Sequence, residues 1–399
     1  MYVTRPLSLL RKFPNALSSP PEGPNSGYLV ILDEEAVNTC CFGRCDDTWI
    51  YELPFPQDKH LTIKYRTSGR AGHNHSSSTY RDDVVLIPVL NQPLSSNHYY
   101  AIQPHGRHKG EAYANSKQED TPSFLCFRLV RDADPAPLHP YDPYQQFVIY
   151  PYETLFDSGQ FYARSVAQDG YPPRFLERKG WKIYWKTPKS FYLDDAPGID
   201  GPRRELLPSF DFPIARARSD AVVVGRWYCP FMFVKDGTVG DQIKKTMYYG
   251  MSLEQSWERI YACENNGKEG NRVTVDVVMQ NEVISVAGEE AVDANVADGV
   301  LWCRSAGDAR GENRVGLSLA IVERMKWEEK RVGWVNGDEK HMKVSRVEEF
   351  GGAGEWKRFG CYVLVERFVL RRMDGSVVLT YDFKHAHQLR SKWEYDQQD

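Results

Sequence analysis

Along much of this chain the apolar side chains fall on alternate positions rather than at helical spacing. In Arg272–Val277, Val273, Val275 and Val277 alternate with Arg272, Thr274 and Asp276, the period-two pattern of a strand with one dry face and one wet face. Apolar runs at Tyr28–Leu32, Leu61–Tyr65, Val84–Ile87, Tyr99–Gln103 and Phe124–Val130 are separated by turn-rich connections and predict antiparallel strands in the front third. Further along, Gly316–Val322, Arg331–Val335 and Met342–Val347 predict strands. Val363–Leu370 and Val377–Phe383 predict a hairpin around Asp374-Gly375, a pair suited to a two-residue turn with positive φ. Between Tyr152 and Gly180, Leu155, Phe156, Tyr162 and Val166, then Phe175 and Leu176 after Pro172-Pro173, suit short helices. The fold class these patterns predict is α+β and predominantly β. Antiparallel sheets carry a few short helices, and the C-terminal part is sandwich-like or an extended antiparallel region.

Proline and glycine divide the chain. Residues 1–27 predict an irregular arm and residues 28–194 an α+β domain. A Pro-rich linker at 195–219 is followed by an antiparallel β domain at 220–395. Arg66–Thr79 lacks large apolar anchors and predicts a mobile loop. The four prolines between Asp132 and Pro143 predict a semi-rigid connection. No repeat at a solenoid or propeller period is present.

Composition narrows the function classes. At 399 residues and 41% apolar content the chain can bury a substantial core. Its 50 basic side chains against 54 acidic ones give a formal charge of -4, which supplies no broad pull toward phosphate backbones, so no nucleic-acid partner is expected. Eight cysteines at irregular spacing predict mostly free thiols in a reducing compartment. No apolar run approaches the roughly 20 residues that span a bilayer. Arg5, Arg11 and Lys12 without an acid suggest a transit peptide only weakly, and nothing resembles a secretory signal. A cytoplasmic or nuclear location follows as the expectation.

The short cues of common enzymes are missing: no phosphate loop, no zinc helix, no nucleophile elbow. Gly351-Gly-Ala-Gly354 lacks the spacing of a phosphate cradle and predicts a hairpin connection. Cys40, Cys41 and Cys45 form a compact thiol set, the candidate for a metal, with His60 or His105 as distant completions; their spacing lacks a paired C-x-x-C. No cofactor is expected. His73 and His75 sit among glycines and serines that cannot preorganise a metal. His385 and His387 predict a common exposed face of the last strand. His105, Arg107, His108, Lys109 and Glu111 combine proton donors, an anion binder and a carboxylate in one segment, the candidate ligand or partner surface. The aromatics near Trp181, Trp185 and Tyr192, and near Trp227 and Phe233, predict core packing first and a sugar platform second.

Several phrases carry kinship. They are Met1-Tyr-Val-Thr-Arg-Pro-Leu-Ser8, Pro20–Ile31, Cys40-Cys-Phe-Gly43, Ile87–Ile102, Gly106–Tyr113 and Ala163–Trp181. Together they resemble a plant family catalogued as domain of unknown function 1262. The resemblance implies a plant protein associated with stress and salicylate-linked defence, and it supplies no catalytic residue. The leading expectation is a soluble intracellular binding or scaffold protein with a protein partner or small ligand, and not an enzyme. The alternatives are an enzyme with a noncontiguous His-containing site acting on a small metabolite or glycan, and a membrane-active β protein, whose strands the acids Asp276, Glu282, Glu289 and Glu290 make costly in lipid.

Overall fold

The structure, a computed structural model, describes residues 1–40, 45–71, 74–117, 123–124, 127–128, 131–154, 157–266, 270–306, 314–335, 341–352 and 355–395. Strand accounts for 50% and helix for 15% of it, mostly in antiparallel sheets, so the chain is predominantly β. The chain forms two compact units, one of residues 1–196, 228–249 and 317–321, the other of 197–227, 250–316 and 322–399. Among the described residues no helix is long and apolar enough to cross a membrane.

In the first unit the expected irregular arm carries structure. Strand β1 (Tyr2–Pro6) pairs in parallel with β2 (Gly27–Ile31), and Met1 and Tyr2 are fully buried. The apolar side chains of the arm complete a core with Leu7, Leu10 and Val30, which compensates the ordering of a Pro- and Gly-rich segment.

The main sheet of this unit contains β3 (Trp49–Ile50), β4 (His60–Ala71), β5 (Asn74–Pro88), β6 (His98–Ile102), β7 (Phe147–Pro151), β8 (Phe161–Ser165) and β9 (Lys182–Lys186). Their order is β8-β7-β6-β5-β4-β9-β3. Phe161 N donates to Trp181 O at 2.8 Å and Gly180 N to Phe161 O at 3.0 Å, which joins β8 to the start of β9 and closes six strands into a ring. The interior follows the alternation: Leu61 and Ile63, Phe147 and Ile149, Phe161 and Ala163, and Ile183 and Trp185 all point into one core. Two expectations fail here. Arg66–Thr79 is not a loop, since residues 66–71 and 74–79 extend β4 and β5 as paired strands from Leu61↔Val84 out to Ala71↔Asn74; backbone pairing continues past the point where apolar burial stops. His73 and the His75 side chain lie outside the described residues. Tyr162 belongs to a strand rather than a helix, because Phe161 and Ala163 alternate into the core; the short helix Arg174–Glu177 does follow Pro173.

The second unit is built on long antiparallel strands. Strand β10 (Val222–Pro230) contributes its residues up to Trp227, and β11 (Tyr248–Glu264) those from Gly250. Strand β12 (Arg272–Gln280), β13 (Glu282–Val286), β14 (Glu289–Ala297), β15 (Val300–Ser305), β16 (His341–Glu349), β17 (Trp356–Arg371) and β18 (Val377–Tyr395) follow. The sheet order is β15-β14-β13-β18-β17-β11-β10. The pair β12 and β16 forms a separate ribbon whose dry face, Val273, Val275 and Val344, packs on Phe359, Cys361 and Val363 of β17. The β17–β18 hairpin turns through Met373, Asp374 and Gly375 rather than two residues. Gly375 N donates to Arg372 O and Arg372 N to Ser376 O, so only Gly375 takes positive φ, +84°, as in a type I turn followed by a left-handed residue.

Leu319–Lys330 is a helix where a strand was expected at its start. Its run of Leu, Ala, Ile and Val reads equally as either element until tertiary packing decides. Arg331–Gly333 is a turn, not a strand. Residues 207–214, from the segment expected to be a linker, pack on the sheet: Trp257 Nε1 donates to Pro208 O at 3.0 Å, and Phe212 joins Trp257 and Tyr362 in a buried cluster.

Candidate functional site

Of the five residues expected to form one surface, the structure brings few together. Residues 103–111 fold back on themselves, with Gln103 N donating to Glu111 O at 2.9 Å and Gly110 N to Gln103 O at 2.7 Å. Gly110 has φ of +83°, and a Cβ there would lie 2.0 Å from Val239 Cγ1, so the glycine serves close packing. His108 Nδ1 pairs with Glu111 Oε2 at 2.6 Å, Lys109 Nζ donates to Gly240 O at 3.3 Å, and Arg107 is exposed. His105 lines a cavity of about 180 Å³, where it lies 3.4 Å from Asp83 Oδ2 and shares the walls with His60 and Lys186. Asp83 also accepts from Thr62 Oγ1 at 2.6 Å. Burial pulls the His60 imidazole below its ordinary pKa. Cys45 is disulfide-bonded, which removes its sulfur from the thiolates open to a metal; the side chains of Cys40 and Cys41 lie outside the described residues.

A cleft of about 680 Å³ lies on the outer side of the closed sheet of the first unit. Strand alternation builds it. With Leu61 and Ile63 facing the core, Lys64 and Arg66 of β4 face outward; with Ile183 inward, Lys182 of β9 does likewise. Lys64 is directly opposite Lys182 on one side and Arg81 on the other, a row of three cations across three adjacent strands, where like charges repel. Arg178 and Lys179, carried by the turn before Trp181, add two more to the rim. Asp157 holds Lys182 at 2.6 Å and accepts from Gln160 at 2.6 Å; the Lys182 hydrogen bond draws its carboxyl below the usual range. Among the described residues Lys64, Arg66, Arg81, Arg178 and Lys179 have no carboxylate at ion-pair distance. Trp49 and Tyr51 supply flat rings, with Lys64 Nζ 5.3 Å from the Trp49 ring, while the Tyr65 ring packs on the core and stacks on Tyr80. Burial, then the Asp82 hydrogen bond, pushes the Tyr65 phenol up to about 12, so it stays a neutral donor. The core packing expected first for the aromatics holds for Trp181, Trp185, Trp227 and Phe233, which are buried, whereas Tyr192 is exposed.

The second unit holds a buried polar cluster that the sequence did not single out. Arg204, from the Pro-rich segment, donates from Nε to Glu366 Oε1 at 2.9 Å and from a terminal nitrogen to Glu366 Oε2. It also reaches Glu328 Oε1 at 3.1 Å and Glu329 Oε1 at 3.4 Å. Arg324, one helical turn before Glu328, bonds its Oε2, and His385 Nε2 lies 2.9 Å from Glu329 Oε2. Gln255 donates to Glu366 at 2.7 Å. Glu329, Glu366 and His385 each place a ligand atom within 4.8 Å of the others, a set that could hold a cation, but the Arg204 guanidinium already occupies both carboxylates. The expected common exposed face of His385 and His387 is overturned. His385 is 1% exposed and His387 is exposed: where the register jumps from Leu364↔His385 to Val363↔Leu389, His385 points into the polar cluster and His387 lies edge-on against it, ring centroids 5.4 Å apart. An Arg324–Glu328 spacing of four was the one legible signal, and it needed the helix to be recognised first.

Burial and the Glu366 charge push Glu329 well above the carboxylate range. Burial also acts on Glu366, but the Arg204 contact outweighs it and holds that carboxyl at about 2. Burial lowers His385 to about 4. The signs oppose one another. The raised Glu329 gives stability that is full below its unfolded value and is lost as pH rises through its native one. The depressed His385 and Glu366 give stability that is lost as pH falls through about 4 and about 2. Urea midpoints reported by the second unit are expected to be highest between about pH 4.5 and 6.5, where the Glu329 and His385 slopes oppose each other, and to fall on both sides, with His385→Gln shifting the upper acid step. A flat profile between about pH 3.5 and 9 would contradict this assignment.

No curated protein matches the chain. Among solved structures, the crystal structure of Cry35Ab1 is similar over 85% of this chain and 90% of that one, at 10% identity and a TM-score of 0.46, a level that carries no argument about function. Residues 22–127 match the family described as protein of unknown function (DUF1262), the family that the sequence phrases resemble.

Proposed function

We propose that the outer cleft of the first unit binds a small anionic, ring-bearing ligand such as a uronate or a sugar phosphate, making this a binding protein. The observation that carries the reading is the set of cations that line the cleft, Lys64 directly opposite Lys182 on neighbouring strands with Arg66, Arg178 and Lys179 around them. Asp157 offsets Lys182, but the remaining like charges on one face still cost folding free energy, and an anion seated among them removes that cost. The cleft volume falls within the roughly 300–1,000 Å³ of small-molecule sites. Its rings offer flat apolar faces while the cations supply charge-assisted hydrogen bonds. The stress and defence setting of the resembled family is the context we propose for such binding.

Calorimetric titration with a hexuronate, a hexose phosphate and a neutral hexose tests it. The charged sugars are expected to bind, with affinity falling as salt rises, and the neutral sugar is not. Lys64→Gln with Arg178→Gln should weaken binding at least about tenfold, roughly 1.4 kcal/mol. Lys64→Gln alone should leave the free protein equally stable or more stable by about 0.2–1 kcal/mol, since it relieves the row. Equal binding of charged and neutral sugars, or binding unaffected by the double substitution, would overturn the assignment.

A further inference from the structure

A second run of aromatic rings and cations begins where the cleft ends. Lys179 lines the cleft, and its Nζ also lies 5.7 Å from the Tyr162 ring and 5.9 Å from the Tyr152 ring. Beyond it, Tyr150 of β7 is directly opposite Tyr162 of β8, the two rings stacked at 5.3 Å and 22°. Arg164 lies two residues along β8, its guanidinium 5.7 Å from both rings. The opposite face of these strands, Phe147, Ile149, Phe161 and Ala163, is core, so the tyrosines and cations are held on rigid backbone. Among the described residues neither Arg164 nor Lys179 has a carboxylate at ion-pair distance. The surface therefore continues the chemistry of the cleft in a line, with a charge at each step.

From this continuity we infer that the ligand is a linear polyanionic carbohydrate, a polyuronate, entering the cleft with one unit and lying along β7 and β8 with those that follow. The inference rests on the cleft reading above. Single-stranded nucleic acid would need open ring faces for its bases, whereas Tyr150 and Tyr162 stack on each other with Arg164 and Lys179 against them. What remains outward is a display of phenol hydroxyls, ring edges and cationic heads, suited to a polymer rich in hydroxyls and carboxylates. An acidic peptide would match the charge, but it offers no counterpart for the flat Trp49 and Tyr51 rings at the cleft, which suit the C–H face of a sugar.

Titration with a monouronate and a series of longer oligouronates tests the inference. Affinity is expected to rise with length and then level off, by about tenfold or more over the monouronate, because each added unit binds at high effective concentration. Arg164→Gln combined with Tyr150→Ala should collapse the series to the monouronate value while leaving that value unchanged, and Arg164→Lys should keep most of the gain. Thermal melting of each variant verifies that it is folded. If oligomers bind no more tightly than the monouronate, the polymer inference fails and the cleft reading stands. The inference fails equally if the double variant retains the length dependence, or if polyglutamate or an oligonucleotide of matched charge binds as tightly. If no uronate of any length binds, the polymer inference falls, and the cleft reading falls with it when the hexose phosphate does not bind either.

Discussion

Replacing Arg204 with methionine is expected to destabilise the second unit by about 3–5 kcal/mol, the cost of stranding buried charge. The guanidinium is 6% exposed and serves Glu366 through two hydrogen bonds, with Glu328 and Glu329 on its remaining edge. Removing it leaves Glu366, 1% exposed, with the Gln255 amide and the Glu329 carboxyl as neutral partners and no guanidinium to balance its charge, so the carboxyl that Arg204 holds low is then governed mainly by burial. The effect therefore has a pH signature. Because a neutral Glu366 is tolerated far better than an unpaired carboxylate, the gap between parent and variant should narrow as pH falls from 7 toward 5. Adding Glu366→Gln should recover part of the loss by removing the charge that was stranded. Hydrogen exchange along β17 and β18 during urea unfolding reads the second unit separately. A loss below about 1 kcal/mol, or a gap that ignores pH, would show that the cluster does not hold this unit together.

Trp181→Ala is expected to cost the first unit about 3–5 kcal/mol, as for other large buried aromatics. Trp181 is fully buried, its ring 5.3 Å from Phe161 and 6.3 Å from Phe55, and its Nε1 donates to Leu176 O at 2.9 Å. It also stands at the seam, since its carbonyl accepts from Phe161 where β8 meets β9. A cavity there loosens the closure itself. Lys179, Gly180 and Lys182, all on the cleft wall, flank it in sequence, so hexuronate affinity should fall together with stability. Trp181→Phe keeps most of the packing and loses the indole hydrogen bond, and should fall between parent and alanine variant on both measurements. Full stability in the alanine variant would mean that the ring of strands is held elsewhere; lost stability with unchanged affinity would separate the seam from the cleft.

What could be read from the residues was what depends on near neighbours. Val273, Val275 and Val277 alternate, so one face of β12 had to be dry, and Pro173 before Phe175 and Leu176 marked a helix start. The phrases between Pro20 and Tyr113 carried the resemblance to the family whose model matches residues 22–127, because such resemblance is written in order along the chain. The helix at 319–330 was not legible, since four successive apolar residues satisfy either period, and the packing of Arg324, Glu328 and Glu329 decides between them. Nor could the outer extensions of β4 and β5 be seen, because backbone pairing carries them where side-chain hydrophobicity no longer reports it. The sites were hidden for a further reason. Lys64, Arg81, Arg178 and Lys182 become neighbours only through strand register, and Arg204, Glu366 and His385 meet across 181 residues of chain (385 − 204). Sequence alone determined which strands have a dry face; only the folded chain decided which charges share a face, because charges act over ångströms of space and not over positions in a sequence.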